Sequence, residues 1–199
     1  MAELGTALII DKLQPKTASY LSIAARGGAL TLPGRALLLL QIAPTALIKK
    51  AADIAAKQVK CTPSVYMLEG RIGHLAISAD SVIDLQDAAH NIAAGIGAEL
   101  PSQGATKIVA SELVSRVDAQ HAYSINKSKM GSMVAPGDSV YILECQHASN
   151  ALKAVNEAEK AADIKVVDYR FTGSMGRMII GGNDENVRAA REAALAAVA

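Results

Sequence analysis

The residues with the most chemical potential lie in one short segment, Glu69 to His74, with the sequence EGRIGH. It combines a carboxylate, a guanidinium and an imidazole with two glycines. A Gly-x-x-Gly turn can cradle a phosphate, but only where a helix N-terminus follows it. The apolar residues that follow predict a strand instead. Two interpretations remain: a plain tight hairpin, or a loop whose backbone must pass close to other chains.

The remaining candidate residues do not assemble into a catalytic or metal-binding motif. The histidines form no HExxH motif and none lies at metal-ligand spacing from a cysteine. The cysteines have no CxxC pairing, so free buried thiols are expected. There is no GxSxG motif, and the sequence predicts no enzyme, no metal and no cofactor. His74 is the histidine to test, because it ends the EGRIGH segment. The residues considered are His74, His90, His121, His147, Cys61 and Cys145.

Composition narrows the classes of partner. Hydrophobic residues make up 51% of the 199 residues, whereas aromatics are 3% and tryptophan is absent. A core of small aliphatic residues offers little surface for stacking on a base or a flat cofactor. The 20 basic and 19 acidic residues are scattered and give a net charge of +1. This argues against nucleic acid or an anionic membrane as a partner. We see neither a bilayer-spanning run nor a signal peptide, so a cytoplasmic location is expected.

The sequence repeats itself with an offset of 103 residues and no gap from Tyr20 onwards. The identities fall on residues that fix backbone shape, namely glycine, proline and the ends of apolar runs. We predict two domains, 1–102 and 103–199, joined by the linker PSQGAT at residues 101–106. The matched pairs include Tyr20 with Tyr123, Gly28 with Gly131, Gly34 with Gly137, Lys57 with Lys160, Gly70 with Gly173 and Gly73 with Gly176.

Each copy has the hydrophobic pattern of a β-α-β-β-α unit. In the first copy the strands are ALLLLQI, SVYML and GHLAISA, and the helices are TALIKKAADIAAKQV and SVIDLQDAAHNIAAGI. An additional strand leads each copy, TALIIDKL in the first and TKIVASELVSRV in the second. The predicted fold class is therefore α/β, an α+β sandwich in two tandem domains. Two similar domains in one chain favour a pseudo-symmetric assembly, closed as a ring or extended as a lattice.

This unit, with a Gly-x-x-Gly hairpin between its second and third strands, resembles the bacterial microcompartment (BMC) shell domain, a ferredoxin-like fold. The family normally places its last strand after the second helix, whereas here that strand leads each copy. The layout therefore resembles the circularly permuted tandem class. The segment TASYLSIAARGG, residues 17–28, is also similar to part of the ethanolamine-utilisation tandem shell protein.

The resemblance implies a homotrimer that forms a flat pseudohexamer and tiles a microcompartment shell in the bacterial cytoplasm. Its implied partners are other shell proteins, both hexamers and pentamers, and the small metabolites that cross a central opening. Lys57 and Lys160 match the edge lysine of the family and are expected at contacts between tiles. The hairpins are expected to line the opening through Leu68, Glu69, Gly70, Arg71, Ile72, Gly73, Phe171, Thr172, Gly173, Ser174, Met175 and Gly176.

The two hairpins differ in charge, so a trimer would alternate three charged loops with three neutral ones. Rings of charge determine which solutes pass a pore. The resemblance also implies a gate, because permuted tandem proteins use a neighbouring acid and arginine to open or close a wide pore. Glu69 and Arg71, separated by Gly70, are the matching residues here. The alternative function is a small-molecule-binding or regulatory protein on a ferredoxin-like repeat, which would be a monomer or dimer.

Overall fold

The computed structural model describes residues 1–24, 28–102 and 106–198 of the chain. The chain divides into two compact units, Met1–Gly104 and Ala105–Ala199, called unit 1 and unit 2 below. The predicted boundary after residue 102 and the middle of the predicted linker fall at residues 103–105, which lie outside the described residues. Residues 25–27 of the segment TASYLSIAARGG lie outside them as well.

Unit 1 contains a four-stranded antiparallel sheet with strand order β1-β2-β4-β3. The leading strand β1 pairs with β2. The elements are β1 (Glu3–Ile10), α1 (Pro15–Ala24), β2 (Ala36–Ala43), α2 (Leu47–Gln58), β3 (Thr62–Glu69), β4 (Ile72–Ala79) and α3 (Val82–Ile96).

Unit 2 repeats this topology, with strand order β5-β6-β8-β7. Every strand and helix predicted from the repeat is present in both units, which confirms the predicted α/β fold class. The elements are β5 (Ile108–Val114), α4 (Ala119–Ser128), β6 (Ser139–Gln146), α5 (Asn150–Ala161), β7 (Lys165–Arg170), β8 (Met175–Gly182) and α6 (Asp184–Val198).

Helices α1 and α4 were not predicted from the sequence. Helix α4 begins after Asp118, whose carboxylate accepts hydrogen bonds from the backbone N–H of Gln120 at 2.7 Å and of His121 at 3.0 Å. Helix α1 begins at Pro15, a residue favoured at the first helical position. A helix-capping aspartate and an N-terminal proline were therefore the available signals.

Strand β2 is central in its sheet and is buried from Ala36 to Ile42. Its side chains alternate between the two faces. Leu38, Leu40 and Ile42 pack in one cluster with buried residues of α2 and α3, including Ile48 and Leu85. In unit 2 the opposite face of the sheet is covered, since Val140 and Val167 cluster with Ala122 of α4. The leucine run of β2 is thus explained by burial on both faces.

The glycine repeated at positions 28 and 131 serves a packing function in unit 1. A Cβ added at Gly28 would lie 2.1 Å from the carbonyl oxygen of Ser64, so only glycine fits there. The neighbouring Ala29 N–H donates to the Pro63 carbonyl at 3.2 Å, and in unit 2 the Gly131 N–H donates to the Val167 carbonyl at 2.9 Å. These bonds satisfy part of an edge strand that would otherwise be open.

Candidate functional site

The two hairpins occupy equivalent places in their units. In unit 1 the β3–β4 hairpin turns between Glu69 and Ile72, which are register partners. Gly70 has φ of 58° and Gly173, in the β7–β8 hairpin, has φ of 87°, a left-handed conformation that favours glycine. A strand, not a helix, follows each turn. The phosphate-cradle interpretation is therefore not supported, because such a cradle needs a helix to follow the turn.

The second glycine of each hairpin has a different physical reason from the first. A Cβ at Gly73 would lie 1.9 Å from Cδ1 of Ile48 on α2, and a Cβ at Gly176 would lie 2.6 Å from the carbonyl oxygen of Ala148. Both glycines are buried. Both positions require a small residue, because a helix of the same unit packs on the strand there.

The residues of a hairpin that are predicted to line the central opening are called its lip. Four of the lip residues of unit 1 are exposed: Leu68, Gly70, Arg71 and Ile72. Leu68 is 70% exposed, although it is a large apolar side chain. Exposed apolar side chains on a tight hairpin are available for contacts outside the unit. The predicted lip of unit 1 is therefore accessible.

In unit 2 two of the residues predicted to line the opening, Phe171 and Thr172, differ in burial from their counterparts in unit 1. Both side chains are buried, with 2% and 6% of their surface exposed. Phe171 packs against Tyr169 with ring centroids 6.0 Å apart. These two side chains belong to the interior of unit 2, whereas Ser174 and Met175 are exposed and Gly173 is half-buried. The repeat aligned Phe171 with the exposed Leu68, and sequence alone gave no reason to separate them.

Glu69 is coupled to a buried histidine that sequence reasoning noted but did not pair with it. His74 is completely buried on β4, and its Nε2 lies 3.6 Å from Oε2 of Glu69. Burial lowers the pKa of His74 below its usual value, and the Glu69 carboxylate offsets part of that shift. The side chain of Glu69 is 38% exposed, so this carboxylate reaches both the interior and the surface.

Arg177 occupies the position in unit 2 that corresponds to His74. Its guanidinium lies 3.5 Å from the Asp168 carboxylate of β7, and 47% of its side chain is exposed. Each hairpin therefore has a basic residue at this register, titratable in unit 1 and permanently charged in unit 2. The 103-residue offset was the signal that could have paired the two positions.

Lys57 and Lys160 lie in the last turns of α2 and α5. Both are exposed, and each pairs with an acid of its own helix: Lys57 with Asp53 at 2.7 Å and Lys160 with Glu157 at 3.3 Å. A lysine at a helix C-terminus also interacts favourably with the helix dipole. Their expected contact with a neighbouring tile stays a prediction.

Two absences hold for residues 1–24, 28–102 and 106–198. No group of three or more histidine, cysteine or acidic side chains is arranged to hold a metal ion. No helix in these ranges has the length and apolar character needed to cross a bilayer.

Two tandem α/β units, each with an extra leading strand and a turning hairpin at the same register, define a tandem-domain protein of the permuted shell type. Comparison with known proteins agrees. Residues 4–102 match the family model "CsoS1D N-terminal domain", and residues 139–199 match the model "BMC domain". The chain belongs to the BMC-domain family of microcompartment shell proteins.

Similar proteins cover the whole chain. The carboxysome shell protein CcmP of Synechococcus elongatus is 35% identical over 98% of this chain and 92% of that protein. The carboxysome shell protein CsoS1D of Hydrogenovibrio crunogenus is 32% identical, over 98% of this chain and 95% of its own length.

Among solved structures, the fused permuted hexameric shell protein MSM0275 from the RMM microcompartment has a TM-score of 0.89 and 38% identity, covering 98% of this chain and 96% of that one. The double ringed trimeric shell protein MSM0271 from the same microcompartment has a TM-score of 0.89 and 28% identity, covering 100% and 96%. These relatives confirm the predicted structural role in a microcompartment shell, and they are shell proteins and not enzymes. They do not favour the alternative of a small-molecule-binding or regulatory protein.

Proposed function

We propose that three copies of this chain form a homotrimeric tile whose six units surround a central opening. The tile lies in a shell facet beside other shell proteins, both hexamers and pentamers, and small metabolites cross the opening. The observation that carries this proposal is the pair of hairpins, β3–β4 and β7–β8, which turn at the same register in the two units. The trimeric and permuted hexameric relatives support it.

The lip of the opening is proposed to be formed by the exposed residues of both hairpins. Unit 1 contributes Leu68, Arg71 and Ile72, together with the half-exposed Glu69, and unit 2 contributes Ser174 and Met175. Three charged loops then alternate with three neutral ones, which makes the ring selective for charge. Glu69 and Arg71 either pair and narrow the opening or turn apart and widen it. Each exposed pair contributes on the order of 0–1 kcal/mol, so the ring shifts this balance without fixing it.

The edges of the tile are proposed to include Lys57 and Lys160. A lysine can lie along a flat neighbouring surface, bury its methylene stem and direct its ammonium at backbone carbonyls. Changing both residues to glutamate should leave the trimer intact and abolish two-dimensional sheets. Sheets that persist for the double variant in electron micrographs would exclude this role.

The assembly is tested by light scattering of the full chain at micromolar concentration. The expected mass is about 62 kDa, three times the chain mass of 20.6 kDa. A mass of one chain would contradict the trimer.

The opening is tested separately with reconstituted shells. The double change E69A/R71A should alter the flux of small charged metabolites while the mass and the sheets are retained. Equal permeability with and without the two charges would exclude their role at the lip.

A further inference from the structure

The environment of His74 is unusual for a buried histidine. Its side chain has no exposed surface, and within the described part of the chain neither ring nitrogen has a hydrogen-bond partner. Buried polar groups are normally hydrogen-bonded, because leaving one unsatisfied costs about 1–3 kcal/mol. The nearest charged atom given for the ring is Oε2 of Glu69, at 3.6 Å from Nε2. That distance is longer than a formed hydrogen bond and short enough to close by a small side-chain movement.

The surroundings of His74 leave Glu69 as the electrostatic partner. The adjacent strands place two uncharged residues beside it, Gln41 on β2 and Met67 on β3. Gln41 Oε1 is already engaged, since it accepts a hydrogen bond from the Thr6 hydroxyl at 3.1 Å. Leu75, the next residue on β4, belongs to the cluster with α2 and α3, so His74 faces the other side of the sheet.

Three further charged groups lie on elements around this part of the sheet. They are Glu3 on β1, the exposed Lys16 on α1 and the exposed Arg71 in the turn. Among the residues that the structure describes, Glu69 is the charged group that acts on the His74 ring. A change in the charge of His74 is therefore felt first by the carboxylate that also reaches the lip.

We propose that Glu69 and His74 form a proton-sensitive latch at the lip of the opening. When His74 is protonated, the Glu69 carboxylate moves inward to pair with it. Arg71 is then the unbalanced charge of the loop. When His74 is neutral, Glu69 is released to balance Arg71. Protonation of the imidazole adds one positive charge to each loop. The consequence at the opening rests on the proposed function, whereas the pairing itself does not.

The direction of the response follows from the two opposing effects on the ring. Burial disfavours the imidazolium and lowers the pKa of His74. Glu69 therefore pairs with protonated His74 below pH 6.5, not above it. The Glu69 carboxylate is what keeps protonation possible in this buried site. Unit 2 has no such response, since Arg177 stays charged throughout this range.

The pairing is tested by NMR on the full-length chain labelled at histidine Cε1, with titration from pH 4 to 8. Loss of one of the four histidine signals in His74→Gln assigns the residue. We expect His74 to titrate below its usual range and to shift further down in Glu69→Gln, which removes the favourable carboxylate while keeping the shape. His90→Gln is the matched control that should leave the His74 titration unchanged. If the His74 pKa is the same in Glu69→Gln as in the unchanged protein, the latch does not exist.

The consequence is tested by flux of small anionic and cationic probes through reconstituted shells at two pH values, one above and one below the His74 titration found by NMR. Three extra charges about 10 Å from the axis, at a Debye length of about 10 Å, change the local concentration of a monovalent probe about twofold. We expect the anion-to-cation flux ratio to rise on acidification and to become flat in Glu69→Gln and His74→Gln. A ratio that does not respond in the unchanged protein overturns the latch. Shells that pass neither probe at either pH overturn the proposed opening instead.

Discussion

The two hairpins lie at the same place in the repeat but differ in turn and in chemistry. Strand pairing runs to Glu69 and Ile72 in unit 1 and stops at Arg170 and Arg177 in unit 2. In unit 1, Leu68 is exposed and Glu69 couples a buried His74 to the surface. In unit 2, the equivalent Phe171 is buried and the equivalent of His74 is Arg177. The glycines that set the turns are the same in both. The repeat therefore preserved what the backbone requires, while the side chains diverged toward a charged, titratable loop in one unit and a neutral loop in the other.

The helices that follow the third strands show the same divergence. Helix α3 begins after Ser81, whose hydroxyl accepts a hydrogen bond from the Ile83 N–H at 3.1 Å. Helix α6 begins with Asp184, which accepts from the hydroxyls of Ser139 at 2.7 Å and Ser115 at 3.0 Å. Both helix starts have a side-chain cap, since Asn183 Oδ1 accepts a hydrogen bond from the Asn186 N–H at 2.8 Å, and α6 adds the charged network of Asp184. The network of unit 2 responds to pH where the serine cap of unit 1 does not.

The largest difference between the hairpins should appear when the aligned apolar residues are truncated. Phe171→Ala removes a buried ring and should cost about 3–5 kcal/mol in the free energy of unfolding. Leu68→Ala removes an exposed side chain and should change stability within about 0.5 kcal/mol. Urea unfolding followed by circular dichroism measures both. Equal losses for the two variants would mean that the hairpins are packed alike.

A smaller difference is expected at the second glycines. In Gly176→Ala the new Cβ meets the Ala148 carbonyl at 2.6 Å, and backbone cannot move without disturbing α5. We expect a loss of about 1–3 kcal/mol. In Gly73→Ala the neighbour is the end of the Ile48 side chain, which can change its rotamer, so the loss should be smaller. If Gly73→Ala proves the more damaging change in thermal unfolding, the packing explanation of these glycines is wrong.

The smallest effect concerns the helix starts at low pH. The hydrogen bonds and ion pair with Arg188, Ser139 and Ser115 lower the pKa of Asp184 from 3.8 to about 2. A carboxyl with a lowered folded pKa stabilises the protein fully above its unfolded pKa and loses that contribution as pH falls. The loss should therefore fall between about pH 4 and pH 2, and Asp184→Asn should remove it.

Thermal unfolding at pH 2, 3 and 4 measures this effect. Asp80→Asn is the matched control, since Asp80 precedes the equivalent helix of unit 1 and makes an exposed ion pair with Arg35 at 3.0 Å. Parallel melting temperatures for the unchanged protein and Asp184→Asn across this range would show that the network does not hold the helix start.

Much of the fold could be predicted from the sequence because the relevant signals are local or repeated. The leucine run of β2 and the amphipathic patterns of α2 and α5 each follow from residue type and spacing. Helices α1 and α4 were missed because their start signals, Pro15 and Asp118, were not used. In α1 the apolar periodicity is weak as well. The site was predicted as a pair of loops, but the division of its side chains into interior and surface was not.

The sequence by itself determined the duplication, the presence of a leading strand in each copy, and the turns at Gly70 and Gly173. These depend on chain-local geometry, which glycine and hydrophobic periodicity specify directly. Only the tertiary structure decided that Phe171 is buried while Leu68 is exposed, and that Glu69 faces His74. Those outcomes depend on which helix and which neighbouring strand pack against each position. Residue spacing along the chain does not specify this packing.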